Sequence, residues 1–337
     1  MSHTPVEQFT GAANPVESAL EYPGLRPEGS FLTDGVQVEV LPDTYNEFVE
    51  TADDYLLAHD LPTIAQRIPV LAYGANASPS YLRDKITKYG STPDLLTVPH
   101  ITAMLPNALA VWHGKPGQAG SIFAELYNGP EAENASLTAH VAFMTREQLA
   151  IIHASEGVTY SAAELPVKMG NGKGDAERPV LAYVALKSKV LLQDGHPVLV
   201  GDLKHNNTSL PALTAPQAVE YILNRVAKQS KVPSNVQEYV QEGLALKLTG
   251  RKERQARVAN ELTRLGLARS FGFAEKHPEQ LIGRADFTSI PGAPDKDLYF
   301  IPEMILPPVL ARKVSARALV ELSERTGLAI TEAPQGY

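Results

Sequence analysis

Two short stretches of this 337-residue chain combine residue types that could hold an anion and move a proton. In "IPVLAYGANASPSYLRDK", residues 68–85, the apolar run Ile68 to Ala72 suits a buried strand and Ser78-Pro79 reads as an N-cap followed by a first helical residue. Between them lie Tyr73, Gly74, Ala75 and Asn76, two of which tolerate unusual backbone angles. Backbone N–H groups at such a strand-to-helix junction lack intrahelical partners and can point at an anion or a developing oxyanion. A plain connector has the same local pattern, and most such turns bind nothing.

The second stretch is "LAIIHASEGVTY", residues 149–160, where an amphipathic helix ends in Glu156-Gly157. Leu149, Ile151 and Ile152 supply packing, while His153 and Glu156 are three apart and neighbour each other on the last turn. A carboxylate there sits at the negative end of the helix dipole, which disfavours its charged form and raises its pKa, as a general acid/base requires. The bland alternative is a solvated surface glutamate, and a packed histidine is the bland alternative for His153.

Composition narrows the chemistry. Thirty Lys plus Arg against 38 Asp plus Glu give a net charge of −8, and the most basic stretch, residues 248–265, alternates its cations with Glu253 and Glu261 as a solvated helix face does. No nucleic-acid partner is expected. The absence of cysteine excludes disulfides, a thiol nucleophile and thiolate-ligated zinc or iron-sulfur clusters. His196, His205 and His277 show no ligand spacing, so no metal and no cofactor is expected. No G-x-S-x-G elbow is present. The N-terminus lacks the basic start and apolar core of a signal peptide, and no apolar run reaches the roughly 18 residues of a membrane span, so a cytoplasmic protein without a membrane partner is expected.

The elements that must position these residues follow from periodicity. Residues 1–42, rich in Pro, Gly and Glu, read as an arm with little structure of its own, and 44–61 as a helix with Tyr45, Phe48, Val49, Ala52, Tyr55 and Leu56 on one face. Strand candidates fall at 68–73, 96–98, 107–112, 121–127, 138–144, 163–169 and 179–187, interrupted by a helix after Thr145, whose capping-box partner is Gln148. Residues 169–179 read as a hairpin tip and lack the spacing of a phosphate loop. Three helices follow after 212, residues 271–308 resist assignment, and "SARALVELSERTG" is a last helix. The apolar stripe Val258, Leu262 and Leu265 must be buried on the rest of the chain or on a second copy in a homodimer.

Taken in order, the two stretches resemble the γ-glutamylcyclotransferase family, which includes AIG2-like proteins and γ-glutamylamine cyclotransferases. There a Tyr-Gly-Ser-Asn-Leu loop follows an early strand and a later helix ends in Glu-Gly. Tyr73, Gly74 and Asn76 match the loop, Ala75 and Ala77 replace its Ser and Leu, and Glu156-Gly157 matches the later motif. "GQAGSIFAELYNGP" is similar to the family's Gly-rich strand, and "TAPQAVEYILNRVAKQSKVP" to its closing helix. Tyr160 stands where the family tends to place a Tyr, although no Arg follows it.

The resemblance implies an α+β fold built on a small, mixed, partly closed β-barrel over residues 66–245. An N-terminal arm and helix (1–65) precede it and a mainly helical extension (246–337) follows. It also implies the reaction: intramolecular attack of a γ-glutamyl α-amine on its own γ-carbonyl, giving 5-oxoproline and a free amine or amino acid without a cofactor. Glu156 is then the catalytic carboxylate, and Tyr73, Gly74, Ala75, Asn76 and Tyr160 contact the small-molecule γ-glutamyl substrate. Trp112 and His113 line the mouth or are ordinary strand residues. Two other outcomes stay open: a non-catalytic AIG2-like binding or regulatory module, favoured by Ala75 and Ala77, and an amide hydrolase or acyltransferase using the same carboxylate.

Overall fold

The computed structural model of the chain describes residues 3–10, 14–89, 93–117, 120–156, 160–170, 177–185, 189–248 and 253–271. Five strands make a closed ring: β1 (Ile68–Ala72), β2 (Val98–Pro106), β3 (Ser136–Met144), β4 (Tyr160–Met169) and β5 (Glu177–Ala185). β1 pairs antiparallel with β3 (Ile68↔Met144 to Ala72↔His140), β3 with β2, β2 with β4, and β4 with β5 along its whole length. A parallel contact, Leu181↔Val70, joins β5 back to β1. The barrel is therefore mixed, and its closure is complete where a partly closed one was expected.

Helices surround the ring: α1 (Pro15–Leu20), α2 (Tyr45–Ala58), α3 (Pro79–Tyr89), α4 (Arg146–Glu156), α5 (Ala215–Ser230), α6 (Val236–Leu248) and α7 (Glu253–Arg264). The period-two alternation of the strands serves two clusters. Leu71, Ile101, Val141, Leu165 and Val180 pack with Phe48, Ala52 and Leu56 of α2, Ile222 of α5 and Leu262 of α7. The alternate residues Val70, Ala72, Ala142, Ala162, Leu181 and Tyr183 pack with Leu82 and Ile86 of α3 and Leu149 and Ile152 of α4. Among the described residues no helix is long and apolar enough to cross a membrane.

The end of the ring where β1 begins is pinned by Arg67, which is 2% exposed. Its Nε donates to the Pro62 carbonyl (2.8 Å), and its Nη1 to the carbonyls of Thr97 (3.0 Å) and Phe143 (3.3 Å) and to Gln148 Oε1 (3.4 Å). Gln148 also completes the expected capping box of α4, accepting from Thr145 N–H (2.7 Å) and donating its own N–H to Thr145 Oγ1 (3.3 Å). One guanidinium thus fixes where α4 departs from β3.

Three expectations change. β2 is a nine-residue strand where only a short one at 96–98 was expected; the strand expected at 107–112 follows it as Leu109–Trp112. The arm is structured: Phe31–Thr33 pairs with β2 (Phe31↔His100, Thr33↔Val98), and Gln37–Val40 pairs with Phe31–Thr33. β2 supplies the reason, since it meets β4 only at Ala103 and Met104 and leaves its earlier residues an edge to cover. In the C-terminal stripe Val258 and Leu262 are fully buried, but Leu265 is 40% exposed. Beyond α7, Ala268–Ser270 pairs with Lys189–Gln193. Of the hairpin tip expected over 169–179, Met169 belongs to β4 and residues 177–179 to β5, while 171–176 lie outside the described residues, as do the helix expected at 315–327 and nearly all of 271–308.

Candidate functional site

The turn after β1 is a single 3-10 turn, Ala75–Ala77, leading through Ser78 into α3. Ala77 N–H donates to Gly74 O (3.1 Å) and Ser78 N–H to Ala75 O (3.0 Å), so these two groups are spent within the turn and an anion cradle here would draw on the N–H groups of Gly74 and Ala75. Gly74 has φ −109° and Asn76 is not among the residues with positive φ, so neither is selected for a left-handed backbone. Close approach is what requires glycine: a Cβ on Gly74 would stand 2.5 Å from the hydroxyl of Tyr22, a residue of the N-terminal arm.

The side chains of the turn are engaged. Tyr73 is 7% exposed, packs in the larger cluster and donates its hydroxyl to the Tyr183 carbonyl of β5 (2.9 Å). Asn76 is buried, with Oδ1 accepting from Lys85 Nζ (2.8 Å) and its carbonyl 3.3 Å from His100 Nε2. Ala75 is half-buried. The sequence-predicted turn residues are thus together, with Tyr73 and Asn76 holding the turn through their side chains and offering a ligand chiefly backbone.

The strand register decides where Glu156 and Tyr160 fall. Tyr160 pairs with Ala185, and because Leu181 lies opposite Val70 in the parallel pair, Ala185 and Tyr160 are level with Gly74. α4 starts just after Met144, which is level with Ile68 at the other end of β1. Its eleven residues rise about 16 Å, close to the roughly 17 Å of a five-residue strand. Glu156 is its last residue, four positions before Tyr160 and so at most about 14 Å of chain away. Helix and turn share one hydrophobic cluster, through Ala77, Leu149 and Ile152, and Tyr160 packs against it. The side chains of His153 and Glu156 lie outside the described part of the structure, and so does Gly157.

Several site features are silent in the sequence motifs. His100 and His140 are buried on β2 and β3, with Phe31 stacked on His100 (centroids 4.3 Å apart) and edge-on to His140 (5.3 Å). Burial holds the His100 pKa down at about 4 against the pull of the Val98 and Asn76 carbonyls, and that of His140 at about 3, helped by the charges of His100 and Arg26. Burial pushes the Asp43 carboxyl up, but hydrogen bonds from Ser30 N–H (2.7 Å), Ser30 Oγ (2.6 Å) and Thr102 Oγ1 (3.0 Å) outweigh it and hold the group below its ordinary range. Glu164 of β4, level with Val70, has its pKa raised by burial, and its Oε2 is buried without a hydrogen-bond partner. Only its place in an alternating strand, on the same face as Tyr160, could have drawn attention to it in sequence.

Trp112 and His113 are both buried. Trp112 is fully buried and donates its indole N–H to Leu213 O (2.7 Å), and buried His113 lies 3.3 Å from buried Glu125. Among the described residues no group of three His, Asp or Glu side chains is placed to hold a metal ion. Comparison of the chain with protein-family models, with curated proteins and with solved structures gives no match.

Proposed function

We propose that this protein is a γ-glutamyl cyclotransferase, converting a γ-glutamyl amide to 5-oxoproline with release of an amine or amino acid. The observation that carries this reading is the convergence at one end of the barrel: the 73–76 turn, Tyr160, and a helix whose last residue, Glu156, is tethered four residues before Tyr160. Ring closure to a five-membered lactam already has the advantage of proximity, so the site must orient, deprotonate and stabilise. Two protons leave the attacking nitrogen, which goes from ammonium to lactam N–H. Two arrive at the departing nitrogen, which goes from amide N–H to ammonium. Glu156 relays them. The new C–N bond forms at the γ-carbonyl, whose oxygen is stabilised by the turn N–H groups until the old C–N bond breaks.

Incubation with a panel of γ-glutamyl amines and amino acids, read by mass spectrometry, should give 5-oxoproline with wild type and at least about 100-fold less with Glu156→Gln. Glutamate in place of 5-oxoproline would indicate a hydrolase. Full activity in E156Q with loss in Glu164→Gln would transfer the proton relay to Glu164. One observation favours the binding-module reading: the Tyr22 hydroxyl takes up space beside Gly74. Absence of turnover with every member of the panel would select that reading.

A further inference from the structure

Two polar groups at the Gly74 end of the barrel lack the partners their chemistry asks for. Arg26, half-buried in the arm, donates through Nη1 to Tyr73 O (3.5 Å) and through Nη2 to Pro23 O (3.2 Å) and Gly24 O (3.5 Å). All three partners are neutral carbonyls, two at the long limit of hydrogen bonding. Among the described residues no carboxylate lies within ion-pair distance of it, and Asp202 acts on it only from farther away. Burial lowers its pKa to about 10, which leaves it a cation at neutral pH. A guanidinium drawn this far from solvent is normally answered by an anion.

The second group is His140. It lies directly opposite Ala72 in the β1–β3 ladder, one residue before the Tyr73 carbonyl that Arg26 touches. Its Nε2–H donates to Gly29 O (3.2 Å), which fixes the tautomer and leaves Nδ1 a bare acceptor. That Nδ1 is buried without a hydrogen-bond partner in a residue only 4% exposed. A simple anion would answer Arg26 but offers nothing to Nδ1. An α-amino-acid head offers both a carboxylate and an N–H.

We propose that Arg26 and His140 form the receptor for the α-amino-acid head of the ligand, the guanidinium taking the α-carboxylate and His140 Nδ1 accepting an N–H from the amine. This rests on the γ-glutamyl reading above and assigns its substrate recognition. In a γ-glutamyl group the α-carboxyl and γ-carbonyl carbons are four bonds apart, about 5 Å when extended, and successive backbone positions of the turn are about 3.8 Å apart. A head held at Tyr73 therefore leaves the γ-carbonyl within reach of the Gly74 and Ala75 amides. His140 is too weak a base to remove the proton; it orients the amine and leaves deprotonation to Glu156. The arm thereby becomes part of the site.

Calorimetric binding of 5-oxoproline and 2-pyrrolidinone separates the two roles, because both probes present a lactam N–H and only the first carries a carboxylate. One charge-assisted contact predicts that wild type prefers 5-oxoproline by about 10- to 100-fold. Arg26→Gln should cut that preference below about 3-fold by weakening 5-oxoproline alone, Arg26→Lys should retain part of it, and His140→Phe should weaken both probes alike. In turnover, R26Q should raise KM more than it lowers kcat. A folded R26Q that keeps the preference while 5-oxoproline is still produced would overturn the receptor and leave the cyclotransferase standing. An H140F variant that binds both probes as wild type does would remove His140 from it. Should R26Q not fold, a wild-type preference below about 3-fold overturns the assignment without any variant. Failure of wild type both to bind either probe and to turn over any γ-glutamyl compound would overturn both readings together.

Discussion

Replacing Gly74 by alanine tests whether the arm seals the turn. The new Cβ would lie 2.5 Å from the Tyr22 hydroxyl and 3.5 Å from the ring carbon that carries it. Ordinary contact needs roughly 3.3–3.4 Å, so the hydroxyl must retreat by about 0.8–0.9 Å, and overpacking of this kind costs about 1–3 kcal/mol. Gly74 has negative φ, so the backbone adds no left-handed strain. In a Tyr22→Phe background the nearest atom is the ring carbon at 3.5 Å, an ordinary contact, and Gly→Ala should there be neutral or stabilising by up to about 0.5 kcal/mol. The expected coupling in the cycle G74A, Y22F and G74A/Y22F is therefore about 1–3.5 kcal/mol. Urea denaturation followed by the fluorescence of Trp112, the one tryptophan of the chain and a ring neighbour of Tyr22 at 6.0 Å, measures it. If G74A costs the same in both backgrounds to within about 0.5 kcal/mol, Tyr22 does not press on the turn and the reasoning fails.

Two further outcomes concern stability. His100 and His140 bind protons more readily unfolded than folded, so their contribution is present above about pH 6.5 and is lost as pH falls toward their folded values of about 4 and about 3. At pH 5 the loss is on the order of 2 kcal/mol for each imidazole, and urea melts at pH 7.5 and 5 should show it; an H100N/H140N double variant that keeps the full pH dependence would refute the assignment. Arg67→Lys cannot reproduce a planar guanidinium shared among Pro62, Thr97, Phe143 and Gln148, and a loss of roughly 2–4 kcal/mol is expected, with a loss below about 0.5 kcal/mol counting against the pin.

What could be read from the chain was local. β1, the turn and α3 follow from an apolar run, small residues and Ser78-Pro79, and α4 announced its start through Thr145 and Gln148. β2 was hidden because Pro99 and Pro106 read as breaks, although its interior alternates His100, Thr102 and Met104 with Ile101, Ala103 and Leu105. The arm was misread because a three-residue strand such as Phe31–Thr33 has no periodicity of its own and exists through its pairing with β2. For the candidate site, the turn and Glu156 carry motifs, whereas Arg26, His140 and Glu164 acquire meaning only from partners distant in sequence or missing.

The parallel seam between β1 and β5 has a consequence for synthesis. Val70 and Leu181 are more than a hundred residues apart, so the ring cannot close until the ribosome has delivered the chain past 181. At about 5–20 residues per second, β1 emerges and waits roughly 5–20 s with one backbone edge unsatisfied. A chain cut short before Glu177 would not be a smaller barrel but an open, sticky sheet lacking the strand that seals it. The nascent protein is therefore most dependent on chaperones between the birth of β1 and the birth of β5, and slower elongation would lengthen that exposure.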